Sequence, residues 1–299
     1  MKKHPSDNDI QRLDRIKKLV VIAVFSDDQL MERLVLKGGN ALDIVHRIST
    51  RASIDVDLSM ADEFTAAERL VVRDKLEHVL KQTFRPAGYE VFDVKMEDKP
   101  PALTPDMADF WGGYCVEFKL AERSVFDKFS TDVQQLRRNA LPLGQSSKFL
   151  IDISKFEYTT GKQPKNLDGY RIFVYSPEMI VAEKLRAICQ QMPEYGPVIK
   201  RSRAGTSRAR DFLDILTLVT TRDINMDTRD NRSLLSHIFT AKKVPLALIG
   251  LIGKYREFHQ MDFHAVKDTV RPGVILKDFN FYFDFVLDLA QRLKSLWNV

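Results

Sequence analysis

Cysteine is nearly absent from this chain of 299 residues: Cys115 and Cys189 lie far apart, with no CxxC pair. That excludes a disulfide framework and a cysteine zinc site, and it fits a reducing compartment. Long apolar runs are missing as well. LVVIAVF at 19–25 is far too short to cross a bilayer. The opening MKKHPSDNDIQRLDRIKK has no signal-peptide core, so a cytoplasmic location without membrane partners is expected. No repeat of fixed period and no low-complexity segment is visible. The six histidines lack HExxH spacing, and His259 and His264 are expected to be structural or surface residues rather than metal ligands.

What is present suits a protein with a proper core. Hydrophobic residues make up 44% of the chain, well above a disordered composition. The formal net charge of +5 permits a polyanionic partner without demanding one.

Ile10, Leu13, Ile16 and Val20 predict an amphipathic helix over 9–25, with Ser26 capping a second helix that carries Asp27 and Asp28 in its first turn. A long charged helix is expected over 61–84, and strands over 89–95, 114–120 and 148–154. TTGKQPKNLDG at 159–169 reads as turn-rich, followed by a short strand at 171–175. From Ser176-Pro177 onward the pattern is almost entirely helical. The fold class is therefore mixed α+β, with a boundary near Tyr175: a short mixed sheet flanked by helices over 1–175, then a helical domain over 176–299.

The chemistry concentrates in LKGGNALDIVHRISTRASIDVDLS at 36–59. In a strand, Asp55 and Asp57 point to one face while Ile54, Val56 and Leu58 point to the other. Side-by-side carboxylates repel unless a cation lies between them, and hard oxygens suit Mg²⁺. The alternative is a polar face on an exposed edge strand. Lys37-Gly38-Gly39-Asn40 offers bare backbone ahead of a helix expected from Asn40, where free N–H groups favour a phosphate. An ordinary strand-to-helix turn is the alternative there, since the spacing is neither a Walker loop nor a dinucleotide fingerprint. Asp152 interrupts the apolar FLIDIS, where an unpartnered charge is expensive, and is the candidate third carboxylate. Together these parts describe a phosphate cradle and a two-metal site for phosphoryl transfer.

KGGNAL followed by RASIDVDLS resembles the signature of the DNA polymerase β-like nucleotidyltransferase superfamily, in which a glycine turn precedes a D-x-D strand. More narrowly, the chain resembles the AbiEii/AbiGii abortive-infection toxin family. SPEMIVAEKLRAI and RARDFLDI match its later motifs in the right order, so the likeness runs over 37–215. Asn40 stands where that family more often has Ser or Thr; its carboxamide still donates a hydrogen bond.

The later motifs also have a physical reading. Ser176 can cap a helix with Pro177 at its first position. Ile180, Lys184 and Ile188 then share a face, so Lys184 either snorkels or aims at triphosphate oxygens. Asp211, which has Asp214 nearby on its helix, is either an ion-pair partner of Arg208 or a site acid orienting Lys184 or the acceptor hydroxyl. Arg51 either clamps phosphate or is solvated. Ser53 reads as a hydroxyl supporting the turn, not a nucleophile. The cation-rich, acid-free run IKRSRAGTSRAR at 199–210 is either solvated or grips an RNA backbone. DFNFYFDF at 278–285 is expected to pack a helix, with a partner protein as the other possibility.

The resemblance implies an N-terminal nucleotidyltransferase domain and a Mg²⁺-dependent enzyme. It would be the toxin of a toxin–antitoxin pair, moving NMP from an NTP to an RNA acceptor such as the tRNA 3′ end. Asp55, Asp57 and Asp152 would hold two metal ions, with Lys184 and Asp211 completing the catalytic set. Lys37, Gly38, Gly39, Asn40, Arg51 and Ser53 would bind the nucleotide, and a cognate antitoxin is the implied partner. The rivals are a non-catalytic nucleotide- or RNA-binding module and a small-molecule nucleotidyltransferase.

Overall fold

Helix α1 (Asp7–Phe25) opens the fold of the computed structural model, which describes residues 7–48, 55–142, 146–203, 205–271 and 273–298, with backbone alone for 7–10. Ile16, Val20, Val21 and Val24 of α1 are fully buried, so its second half is enclosed by the rest of the molecule. Asp27, not Ser26, caps α2 (Asp28–Arg33), accepting from the Leu30 amide at 3.0 Å. Ser26 still belongs to the end of α1, its hydroxyl donating to the Ala23 carbonyl at 2.7 Å.

Strand β1 (Val35–Leu36) leads into a single helical turn, α3 (Gly38–Asn40), which widens into a π-type turn over Ala41–Val45. Strand β2 (Val56–Ser59) returns beside β1. Helix α4 (Ala66–Phe84) starts later than expected because Thr65 forms a capping box with Glu68. Residues 61–64 stay outside it, and Phe64 packs against Tyr114 with ring centroids 5.3 Å apart.

Strands β3 (Tyr89–Lys99) and β4 (Gly113–Glu122) form a long antiparallel pair, followed by α5 (Arg123–Phe129) and α6 (Val133–Arg138). Strand β5 (Phe149–Ser154) then runs parallel to β2. The stretch read as turn-rich in fact contributes β6 (Gln163–Leu167), paired antiparallel with β7 (Tyr170–Val174). Asp168 and Gly169 both have positive φ, 50° and 89°, as a two-residue hairpin turn requires. Pro164 is tolerated because β6 is an edge strand. The mixed sheet has the order β3-β4-β5-β2-β1-β7-β6, which puts β5 and β2 near its middle.

From Ser176 the chain is helical: α7 (Pro177–Cys189), α8 (Ala209–Arg222), α9 (Arg229–Ala241), α10 (Arg256–Gln260), α11 (Phe263–Lys267), α12 (Phe279–Arg292) and α13 (Lys294–Trp297). Ser176 caps α7 as expected, accepting from the Met179 amide at 3.2 Å. Phe279, Tyr282 and Phe283 of the aromatic run pack inward, Phe212 of α8 meeting Phe279 and Phe283 of α12 at ring-centroid distances of 5.4 and 5.0 Å, whereas Phe281 is exposed. One buried apolar cluster runs from Val56, Ile151 and Val174 of the sheet to Ile180, Phe212 and Phe283 of the helices. Among the described residues no single helix is long and apolar enough to cross a membrane.

Candidate active site

The parallel register of β2 and β5 pairs Asp57 with Asp152, so the two acids stand side by side on neighbouring strands. Asp55, just before β2, joins them in lining a cleft of about 620 Å³. The glycine turn is pressed against this acid wall. Gly38 has φ +67°, and a Cβ there would lie 2.5 Å from Asp57 Oδ2. No other residue type fits both the backbone and the contact. The helical turn begins at Gly38, two residues earlier than expected, so Gly38 and Gly39 occupy its first positions, where amides have no intrahelical partner.

Two predicted nucleotide contacts sit differently. Asn40 does not line the cleft: it is fully buried and its side-chain amide donates to the Asp55 carbonyl, bracing the acid-bearing segment from behind. Lys37 does line the cleft, but its ammonium donates to Ser154 Oγ at 3.1 Å and to Glu157 and Glu183 at 3.4 and 3.5 Å. Arg51 and Ser53 lie outside the described residues.

Asp55 and Asp57 are poorly compensated. Burial pushes the Asp57 carboxyl up to about 6, with Glu183, Asp152 and Asp55 adding to the rise and Lys37 opposing it. Asp55 is raised by burial and by Asp152, against Lys99 and Arg210. Among the described residues no group of three or more His, Cys, Asp or Glu side chains is arranged to hold a metal ion. Asp152 instead accepts from Lys99 Nζ through both oxygens, at 2.8 and 2.9 Å. The donor set is nonetheless hard carboxylate oxygen, in a place where added positive charge relieves repulsion.

Helices α7 and α8 supply the other side of the cleft. Lys184 donates to Asp211 Oδ1 at 2.8 Å and Asp214 Oδ2 at 2.7 Å, while Arg208 Nε donates to Asp211 Oδ2 at 2.6 Å. Burial works against the Asp211 charge, but Arg208 and Lys184 outweigh it and hold the carboxyl far below its usual range. Asp211 thus contacts both Arg208 on its own helix and Lys184 on α7. The Arg208 amide donates to Nδ1 of buried His259 at 3.2 Å, and burial pushes that imidazole down to about 4, leaving it a neutral acceptor. In the basic run, Arg208 and Arg210 line the cleft, whereas Arg201 donates to the Gln190 and Met192 carbonyls near the end of α7.

A buried ionic floor escaped the sequence reading. Glu157 is held by Arg186 at 3.1 Å, Lys37 at 3.4 Å and Lys242 at 3.8 Å. Burial alone would raise the Glu157 carboxyl; Arg186, Lys37 and Lys242 instead bring it to about 2. Burial pushes the Lys242 ammonium down to about 8, with Arg186 and Lys37 adding to the effect against Glu157. Glu183 and Arg186 flank Lys184 on α7 and could have been found by helical spacing. Lys242, which also donates to the Phe110 carbonyl at 3.2 Å, has no local signal at all.

Carboxylates on adjacent parallel strands, a bare backbone turn against them and buried cations across from both thus share one cleft. Comparison with known families makes the chain a nucleotidyltransferase. Its family is more specific: residues 20–285 match the model of the nucleotidyl transferase AbiEii toxin family of type IV toxin–antitoxin systems, and the chain belongs to that family. Among solved structures, JHP933 from Helicobacter pylori is similar with a TM-score of 0.52 at 15% identity, over 98% of this chain and 94% of that one. A candidate nucleotidyltransferase from H. pylori follows with a TM-score of 0.44 at 15% identity, over 98% of each chain. An antigenic nucleotidyltransferase-like protein from Paracoccidioides brasiliensis has a TM-score of 0.36 at 16% identity, over 86% of this chain and 94% of that one. The likeness to JHP933 is one of fold. No curated protein sequence matches.

Proposed function

We propose that this toxin-family nucleotidyltransferase moves NMP from an NTP to an RNA acceptor, such as the tRNA 3′ end, in a Mg²⁺-dependent reaction in the cytoplasm. The observation that carries this reading is the in-register pair Asp57 and Asp152 beside Gly38, with Asp55 on the same cleft. In it, 1–175 is the catalytic domain, and the helical domain 176–299 lends Lys184 and Asp211. A cognate antitoxin is the implied partner.

Asp55, Asp57 and Asp152 are the residues that hold Mg²⁺, which when bound supplies charge neutralisation for the triphosphate and the departing pyrophosphate. The amides of Gly38 and Gly39 lie along the phosphates, where no side chain stands in the way. Lys37, held by Glu157 and Glu183, adds positive charge beneath them. Asn40 acts indirectly, by fixing the Asp55 carbonyl. Arg51 and Ser53 take phosphate-contact and turn-supporting roles. Lys184, oriented by Asp211, faces the triphosphate. The acceptor hydroxyl oxygen bonds to the α-phosphorus, the bond to the bridging oxygen breaks, and pyrophosphate leaves with that oxygen. Asp152 takes the hydroxyl proton.

The test compares wild type with Asp57→Ala, using α-labelled NTPs and total cellular RNA. Label on RNA with wild type alone supports the reading and reveals base and acceptor. Label on protein would overturn the RNA acceptor. Absence of label from both, with nucleotide binding intact, would make the protein a binding module.

A further inference from the structure

Lys99 ends β3 at the mouth of the cleft, 53 residues before the acid it grips. Its ammonium bridges both oxygens of Asp152, the register partner of Asp57. The lysine therefore already occupies the electrostatic position that a cation would take among these carboxylates. A dication approaching the same oxygens meets the ammonium already held there, and the two repel.

Lys99 also differs in exposure from the other lysines of the cleft. Lys37 and Lys184 are locked in buried clamps, with side-chain exposures of 8% and 5%. Lys99 is 58% exposed, so it can leave Asp152 for solvent without breaking core packing. Its grip is that of a part-exposed ion pair, firm enough to compete and weak enough to yield.

We propose that Lys99 is the resident counter-ion of the acid wall: it holds Asp152 until a divalent cation displaces it, and thereby sets the affinity of the metal site. This rests on the metal-assisted reading above. It makes Lys99 a positioning residue whose removal strengthens, rather than weakens, metal binding.

The experiment titrates Mn²⁺ into the purified full chain without nucleotide, following free Mn²⁺ by its paramagnetic resonance signal. Wild type, Lys99→Met, Lys99→Arg and Asp57→Asn are compared, with thermal melting as the check on folding. Lys99→Met is expected to bind Mn²⁺ about two- to fivefold more tightly than wild type, the scale of a part-exposed ion pair. Lys99→Arg restores the competition and binds as wild type does, whereas Asp57→Asn binds more weakly. Saturable binding to wild type that Asp57→Asn weakens and Lys99→Met leaves unchanged, or weakens, overturns the role of Lys99 and leaves the metal site standing. No saturable binding to wild type or Lys99→Met removes the metal reading, and this proposal with it.

Discussion

Gly38 and Asp57 show how one residue constrains another across the sheet. The turn needs a positive φ, and the carboxylate needs the space that a Cβ would fill. Burial, with Glu183, Asp152 and Asp55 nearby and Lys37 opposing them, gives Asp57 its raised pKa of about 6. A carboxyl whose folded value lies above its ordinary 3.8 binds its proton more tightly in the folded chain than in the unfolded one. Stability therefore falls as pH rises from about 4 to about 6, and the penalty is complete above that window. Asp57→Asn, which cannot ionise, should gain about 1–2 kcal/mol over wild type in chelator at neutral pH, after allowing for the partial exposure of Asp57. That gain should shrink to nothing towards pH 4. Chemical denaturation across the window measures it, and a difference independent of pH would reject the assignment. Asp55, Asp57, Asp152 and Gly38 were all legible as residues, because polar or bare positions inside apolar runs stand out locally. Lys99 was not: its meaning is a contact with Asp152, and nothing around Lys99 itself announces one.

At the scale of elements, the proline-led α7 was readable from its cap and apolar stripe, and α8 from its charged start. Their relation was not. Lys184 on α7 bridges Asp211 and Asp214 on α8 only because the two helices pack together. Removing the ammonium while leaving both acids in place breaks a buried pair, a change that typically costs about 3–5 kcal/mol. Lys184→Met should therefore lose that much stability in denaturant unfolding, besides losing label transfer. Unchanged stability with lost transfer would mean that Lys184 acts on substrate alone. Strand β6 was missed for a different reason. Polar residues and Pro164 hide an edge strand that has one face in solvent, although the Asp168-Gly169 turn carried the signal.

Across the whole molecule, the proposed function makes the charge pattern decide how a polyanion would meet the cleft. The net charge is only +5, but Arg208 and Arg210 line the cleft at the start of α8. On the RNA-acceptor reading, binding weakens as salt rises, because each neutralised phosphate releases counterions. Arg210→Ala should lower the slope of log affinity against log salt by about 0.7 to 1, with a similar loss for every RNA sequence. Filter binding over a salt series checks this, and an unchanged slope removes Arg210 from the phosphate track. By itself the sequence determined the mixed α+β class, the acid pair, the glycine turn and the cap of α7. Each of these is set by neighbours a few residues away: strand alternation, bare backbone or a first-turn hydrogen bond. Tertiary structure alone decided that Asp57 stands beside Asp152 and that Lys99 grips the latter. It also turned Asn40 inward and gathered Lys37, Glu157, Arg186 and Lys242 into one floor. Strand order and helix packing bring those residues together from distant parts of the chain, and burial then makes their charges interact strongly.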